Sequence, residues 1–282
     1  MTKSEKIIDR IKYLPTLPTV FSRLSDAMSN PRISNDEIAI IISSDQAAAL
    51  KVLKVVNSAF YGFSGRIDTI TRALLYLGLN EVRNLIFAMS VINLFKKKSS
   101  LMNFRPVEFW SHSIAVGVAT RLVGSSMQIQ NLENYFLAGI LHDIGKLVLF
   151  EHAGEDYAKV LAMVEEKRCF IIDAEKEVMG FDHSKIGEIL AIKWNLPTTI
   201  KNAVRYHHSG IADGSTEKLV AAVHIGDIIA RTLELGFPGD ELVPEPNEIV
   251  VEKLKLKGSL FMDTYDSILK NFEETNKLLL AD

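Results

Sequence analysis

The sequence predicts an all-α protein, and three observations carry that expectation. Apolar residues recur at the three-to-four-residue spacing of a helix along most of the chain. Serine, threonine, aspartate and asparagine stand where those runs begin, the positions at which their side chains satisfy free helix N–H groups. Period-two runs, the mark of half-buried strands, are scarce; Phe170–Ile172 is strand-like, with a buried loop as the alternative.

In chain order, Ser34 and Glu37 form a capping box ahead of Ile38, Ile41 and Ile42. Asp45 caps a second helix carrying Leu50, Leu53 and Val56. Asp68 or Thr69 starts a third, which Gly78 ends as a left-handed cap, and Asn80 caps a fourth with Val82, Leu85, Ile86 and Val91 inward. After Ser99-Ser100 the pattern restarts near Pro106. Helices are expected over Val107–Leu122, Glu133–His152, Asp156–Lys167, Ala174–Val178, Ser184–Trp194, Pro197–His207 and Glu217–Leu235. Pro197 suits a first helical turn, where its missing N–H costs nothing. Gly236–Pro246, with three prolines, reads as a loop, and Phe261–Leu280 as a last amphipathic helix bearing Leu269, Phe272 and Leu278. The restart at Pro106 marks a boundary between residues 1–105 and 106–282.

Composition narrows the class. With 282 residues, 48% hydrophobic and 24% charged, the chain can bury a large core without disulfides. Cys169 is the single cysteine, which rules out an internal disulfide and a cysteine-based metal site, and reads as a small buried apolar residue. A net charge of -3 with interspersed signs gives no broad basic surface, so nucleic acid is not an expected partner; Lys96-Lys97-Lys98 reads as a solvated helix end or linker. The charged start, Met1–Lys6, lacks a signal-peptide apolar region, and no stretch reaches the ~18–20 apolar residues of a membrane span, so no membrane association and a cytoplasmic location are expected.

The chemistry concentrates in one region. All seven histidines lie between residues 112 and 224. His142-Asp143 sits in a strongly apolar helix among Ile140, Leu141, Ile144, Leu147, Val148 and Leu149. A dipeptide of this kind on a surface would be unremarked, but buried ionisable groups need partners, and a metal ion is a natural one. Adjacent helical side chains diverge by roughly 100°, so the pair converges only on an ion near the bisector. Imidazole with carboxylate suits Fe, Mn, Ni or Zn. Lys146, one turn on, could meet a substrate phosphate. His112, His183, His207, His208 and Asp227 are further candidate ligands; taken singly, each histidine reads as a satisfied core residue and Asp227 as a cap or ion-pair member, but in this order around one His-Asp pair they support each other. His152 and His224 have no assigned partner, though His224, one turn before Asp227, could support it. Trp110 and Trp194 read as core, Asn57 as a helix end and Tyr61-Gly62 as a turn.

The order His112 … His142-Asp143 … Asp227 resembles the signature of the HD superfamily of metal-dependent phosphohydrolases. His183, His207-His208 and Lys146 are similar to the larger set of the HD-GYP subgroup, which cleaves cyclic di-GMP. That resemblance implies Asp143 bridging two ions, one held by His112, His142 and Asp227, the other by His183, His207 and His208, with Asp143 and Lys146 as catalytic residues. Leu14–Pro18, Asp45, Leu50–Gly62 with Asn57-Ser58-Ala59, and Ile67–Gly78 resemble the N-terminal half of the HDOD family, over about residues 7–235. The family implies an HD-domain-like helical bundle with a helical N-terminal subdomain, a bacterial signalling role, signalling proteins as partners, a nucleotide or phosphate as ligand, and one or two divalent ions. Two departures stand out: Asp45-Gln46 replaces the usual Asp-Pro, and Ser209–Thr216 lacks the glutamate and Gly-Tyr-Pro tied to cyclic di-GMP hydrolysis. The sequence thus supports a binding or output module, with a metal-dependent phosphodiesterase as the alternative.

Overall fold

Local cap chemistry starts the N-terminal helices as expected. Glu37 Oε2 accepts the Ser34 N–H at 2.9 Å and Ser34 Oγ accepts the Glu37 N–H at 3.2 Å, completing the capping box. Asp45 caps through the Ala48 N–H and Thr69 through the Arg72 N–H. The computed structural model describes residues 19–30, 32–96, 105–215, 217–255 and 259–280. The Leu14–Pro18 string, Lys97, Lys98, Ser99-Ser100 and Thr216 lie outside these residues.

The helices in chain order are α1 (Thr19–Met28), α2 (Asn35–Ser43), α3 (Gln46–Val56), α4 (Ile70–Leu77), α5 (Leu79–Lys96), α6 (Pro106–Ser126), α7 (Leu132–Leu141), α8 (Ile144–His152), α9 (Gly154–Lys167), α10 (Ile171–Met179), α11 (His183–Lys193), α12 (Thr198–Tyr206), α13 (Lys218–Thr232), α14 (Glu248–Leu254) and α15 (Leu260–Leu280). Among the described residues the β structure is one bridge, Ala212 to Ser215. Among the described residues the fold is an all-α helical bundle with no sheet.

α6 is the axis of the C-terminal part. It is buried on every side from Phe109 to Thr120, so it has no polar face to show solvent. It packs on α7, α13 and α15. Glycine makes the closest crossings possible: a Cβ on Gly139 of α7 would stand 2.6 Å from the Gly117 Cα of α6. α5 joins the first helices to this bundle through α7, where Asn84 Nδ2 donates to Asn134 Oδ1 at 2.7 Å. α15 returns to the N-terminal helices, and Glu274 accepts the Ala59 N–H at 2.9 Å.

Several boundaries differ from expectation. The helix expected over Glu133–His152 is broken at His142-Asp143. Gly78 has φ +94° but ψ 158°, an extended glycine rather than a left-handed cap, and α5 starts at Leu79, so Asn80 lies inside it. Pro197 precedes α12 with extended ψ instead of opening its first turn. Phe170 is extended, but Ile171 already begins α10, so the strand-like segment is a helix entry. α14 lies beyond the helices that the sequence predicts, because its seven residues carry too short an apolar period; Asn247 caps it through the Ile249 N–H. Trp110 and Trp194 are buried, while Cys169 is only half-buried.

Candidate metal centre

The break at His142-Asp143 is what lets the two side chains face one space. Asp143 leaves the helix at φ −100°, ψ 9°, and α8 restarts at Ile144 with the Lys146 N–H on the Asp143 carbonyl at 2.9 Å. At this break His142 Nε2 and Asp143 Oδ2 stand 3.2 Å apart. Gly145 then brings α11 against α8. A Cβ there would collide with the His183 carbonyl, so glycine is required for His183 to reach Asp143.

All seven expected ligands converge. Three groupings have their ligand atoms within 4.8 Å of one another: His183, His207 and His208; His112, His142 and Asp227; and His142, Asp143 and His207. Asp143 links them, with Oδ1 at 3.0 Å from His183 Nε2 and 3.6 Å from His207 Nε2. On the other side, Asp227 Oδ1 lies 3.1 Å from His112 Nε2 and 3.8 Å from His142 Nε2. Each of these groups is buried except His208, which is partly exposed.

Second hydrogen bonds determine what the imidazoles offer. His142 Nδ1 donates to the Gly139 carbonyl at 2.7 Å and His207 Nδ1 to the Val204 carbonyl at 2.9 Å. Carbonyls only accept, so the ring proton belongs on Nδ1 and the Nε2 lone pair points inward. His183 Nδ1 meets Glu175 Oε2 at 2.6 Å; the same oxygen accepts the His183 backbone N–H, and Tyr157 donates to Oε1 at 3.0 Å. A carboxylate behind a histidine fixes the ring and raises its basicity as a ligand. His224 accepts the Asn247 N–H at Nε2, so its Nδ1 donates to the His207 carbonyl at 2.8 Å: it supports His207, not Asp227.

Buried polar atoms without partners test the fit to a metal. His142 Nε2 and His207 Nε2 lack a hydrogen bond within the described residues, while His112 Nε2 and Asp143 Oδ1 face only other members of the cluster, Asp227 Oδ1 at 3.1 Å and His183 Nε2 at 3.0 Å. Such orphans are rare in a folded core, and here they share one space. His183 Nε2 and His208 Nε2 lie 2.9 Å apart, an N–H···N hydrogen bond when one of the two carries a proton and a spacing at which both lone pairs could face one ion once that proton has left. The donor set, imidazole nitrogens with carboxylate oxygen, is one that holds a divalent transition ion.

Charge is already partly compensated. Lys146 Nζ, fully buried, donates to Asp143 Oδ2 at 2.6 Å and to the Pro238 carbonyl at 2.9 Å, so it is committed inside the protein rather than extended toward a phosphate. Arg231 Nε donates to both Asp227 oxygens at 3.1 and 3.2 Å, and its NH1 reaches Asp240 at 2.8 Å and the Leu242 carbonyl at 3.0 Å. Burial opposes ionisation of Asp143, but His142, Lys146 and His183 outweigh it and hold the carboxyl well below the usual range. Asp227 is likewise held well below, Arg231 and His112 overcoming burial. Burial pushes His207 down to about 4 and His208 well below its ordinary value. Burial also acts against His183, yet Glu175 and Asp143 raise it to about 9: without a metal ion, a proton is the cation that His183 carries.

Glu175, Arg231 and Asp240 are functional neighbours that the sequence reading misses. A signal exists for two: Glu175 interrupts the apolar stripe Ile171, Ala174, Val178 of α10, and Arg231 lies one turn after Asp227 on an apolar helix. Asp240 sits in a loop and carries no pattern. The Ser209–Ser215 segment closes on itself. Asp213 (φ 44°) and Gly214 (φ 78°) make a two-residue hairpin turn between Ala212 and Ser215, and Tyr206 donates to Asp213 at 2.5 Å. His152 closes α8 and belongs to none of the three groupings.

Comparison with known proteins gives a family and a shared fold. The family model of the HDOD domain matches residues 14–210. An HDOD domain protein of unknown function from Geobacter sulfurreducens is similar in structure, with a TM-score of 0.80, 25% identity, and 99% and 98% of the two chains covered. A proposed phosphohydrolase of Shewanella amazonensis SB2B gives a TM-score of 0.75 at 22% identity over 97% of each chain, a likeness of fold. An uncharacterized protein of Treponema pallidum (strain Nichols) is 26% identical over 240 residues, which are 84% of this chain and 46% of that protein. The chain therefore spans about half the length of that relative.

Proposed function

The chain belongs to the HDOD family, and on that premise we propose that it is a bacterial signal-transduction protein in which the His/Asp cluster holds one or two divalent ions and serves a binding or output module. His112, His142, Asp143, His183, His207, His208 and Asp227 are the proposed ligands, for Fe, Mn, Ni or Zn. The observation that carries the metal reading is the convergence of buried donor atoms around Asp143, with His142 Nε2 and His207 Nε2 partnerless. A bound ion would supply the missing positive charge and tie α6, α11, α13 and the α7–α8 break to one point. We further assign residues 1–105 to an N-terminal subdomain and 106–282 to the metal-site domain. Signalling proteins are the proposed partners and a nucleotide or phosphate the proposed small ligand. A cytoplasmic location is supported by the fact that, among the described residues, no single helix is long and apolar enough to cross a membrane.

The alternative is a metal-dependent phosphodiesterase with Asp143 and Lys146 as catalytic residues. The convergence of all seven donor residues on one space favours it, and His208 is the one of them that is partly exposed. Two observations favour the module. Lys146 is spent on Asp143 and Pro238, and the closed Ser209–Ser215 turn lacks the residues that would hold a cyclic dinucleotide. An activated water without a held substrate gives little rate enhancement. The test is turnover of cyclic di-GMP and a generic phosphodiester by metal-loaded protein. No efficient hydrolysis is expected; robust turnover lost in both Asp143→Ala and Lys146→Ala would make the enzyme reading the right one.

A further inference from the structure

A second concave site is lined by none of the seven proposed metal ligands. Phe109 of α6, Phe150 of α8, Tyr157 and Leu161 of α9 and Ile171 of α10 surround a narrow cleft with about 350 Å³ of free space, counted to its solvent-filled mouth. That is the small end of the range for ligand pockets, about 300–1,000 Å³. Residues 237–239 form the remaining wall, and it is pinned at each step. The Phe237 N–H donates to the Glu108 carbonyl at 3.0 Å, the Pro238 carbonyl accepts Lys146 Nζ at 2.9 Å, and the next residue, Asp240, is held by the Ile171 N–H and by Arg231. Gly239 has φ +118°, and a Cβ there would stand 2.7 Å from Ile171 Cδ1, so glycine lets the loop lie against α10. A wall fixed beforehand needs little ordering when a ligand arrives.

The chemistry of the lining selects the ligand. Its buried polar side chains are turned to partners: Tyr157 gives its hydroxyl proton to Glu175, and Lys146 gives two of its three ammonium protons to Asp143 and Pro238. What the cleft offers is therefore mostly carbon, and Phe237 leaves 36% of its surface in water. The charged lining residues are Arg105 and Lys146, both cations, and no carboxylate lines the cleft. The Arg105 side chain is 69% exposed and pairs with Glu108 at 3.1 Å, a surface contact that exchanges readily for another anion. A guanidinium matches a carboxylate with two parallel hydrogen bonds.

We propose that this cleft binds a small apolar acid: a single ring or short branched chain with one carboxylate. The carbon body lies among Phe109, Phe150 and Phe237, and the carboxylate takes Arg105 from Glu108. The site works whether or not an ion stands at Asp143, so it does not rest on the metal reading above.

The experiment is calorimetric titration of the full chain with benzoate, phenylacetate and isovalerate. Acetate supplies the carboxylate without the body, and benzyl alcohol the body without the charge. Saturable binding of at least one of the three acids is expected, with acetate and benzyl alcohol about tenfold weaker or more. Arg105→Gln should weaken that acid about tenfold or more, as loss of a charge-assisted hydrogen bond does. Leu161→Trp, at a half-buried wall position, should fill the cleft and abolish binding. Melting curves report whether each variant is folded; if Leu161→Trp is not, Arg105→Gln, at an exposed position, decides alone. No saturable binding by any of the three acids would overturn the proposal. So would acetate or benzyl alcohol binding as tightly as the best acid, or an acid whose affinity survives the substitutions in folded protein.

Discussion

Two buried polar networks lie in this molecule, and they are completed in opposite ways. Around Asp143, His142 Nε2 and His207 Nε2 are sealed from water without hydrogen-bond partners, and His112 Nε2 and Asp143 Oδ1 face only other members of the cluster. Where the Asn57–Gly62 segment meets α6 and α7, the central carboxylate is satisfied at both oxygens. Tyr61 donates to Glu133 Oε2 at 2.9 Å and Arg121 Nε to Oε1 at 3.3 Å; Arg121 NH1 reaches the Phe60 carbonyl at 3.3 Å, and its guanidinium lies 4.4 Å from the Phe60 ring centre. Asn57 does the same for the backbone, its side chain bonding both the Ile67 N–H and carbonyl at 2.7 and 2.6 Å. A completed network holds helices together, and an incomplete one is set up to receive something. The HDOD-type string Asn57-Ser58-Ala59-Phe60-Tyr61-Gly62 is therefore a joint, and the histidine cluster is a receptor for a cation.

That contrast can be broken experimentally. The largest effect expected is at the joint. Glu133→Ala leaves Arg121 and Tyr61 facing each other without their shared carboxylate and should cost about 3 kcal/mol or more of stability in denaturant unfolding, as for other broken buried pairs. The loss should be the same with and without chelator; a chelator-dependent loss would mean that the two networks are coupled. Next comes Glu175→Ala, which should weaken metal retention about 10- to 100-fold in a chelator competition by releasing His183. Unchanged retention would show that Glu175 serves Tyr157 and not the ion.

A pH titration sharpens the comparison further. The His183 proton, held up to about 9, must leave before an ion can bind at Nε2, while His207, pushed down to about 4, costs nothing near neutrality. A proton that competes with the ion weakens binding wherever it is present, so affinity should rise with pH by about tenfold per unit below about pH 9 and level off above it. A pH-independent affinity around neutrality would contradict that role for His183. The smallest effect is Tyr61→Phe, which removes one hydrogen bond to Glu133 and should cost about 1 kcal/mol, independent of metal; no change in the unfolding midpoint would mean Arg121 alone completes Glu133.

Much of this is legible in the sequence, for identifiable reasons. Capping is local, so the helix starts at Ser34, Asp45 and Thr69 can be read from neighbours alone. The seven candidate ligands can be named because buried histidines and aspartates are costly without partners, and an apolar surround such as Ile140–Leu149 announces burial. The break at His142-Asp143 is hidden, since nothing in an apolar helical run forbids a continuous helix; it accompanies the turning of both side chains into one space. Asp240 is hidden because it sits in a loop and its partner Arg231 lies on α13, while Glu175 shows only as a charge in an apolar stripe, its partner His183 lying on another helix. Lys146 reads in the sequence as a hand for phosphate, and only the tertiary placement of Asp143 and Pro238 shows it engaged inside.

The central claim is that the orphaned atoms around Asp143 exist to hold an ion. It is tested most directly by measuring the melting temperature and metal content of the same purified sample, before and after chelation, alongside Asp143→Ala. An ion that binds only the folded chain, at about 100 to 1,000 times its dissociation constant, stabilises it by about 3–4 kcal/mol. The account predicts bound transition metal in the native protein, a fall of several degrees on chelation, and no chelator response in Asp143→Ala. A metal-free native protein whose melting curve is the same with and without chelator and added Co²⁺ would contradict it.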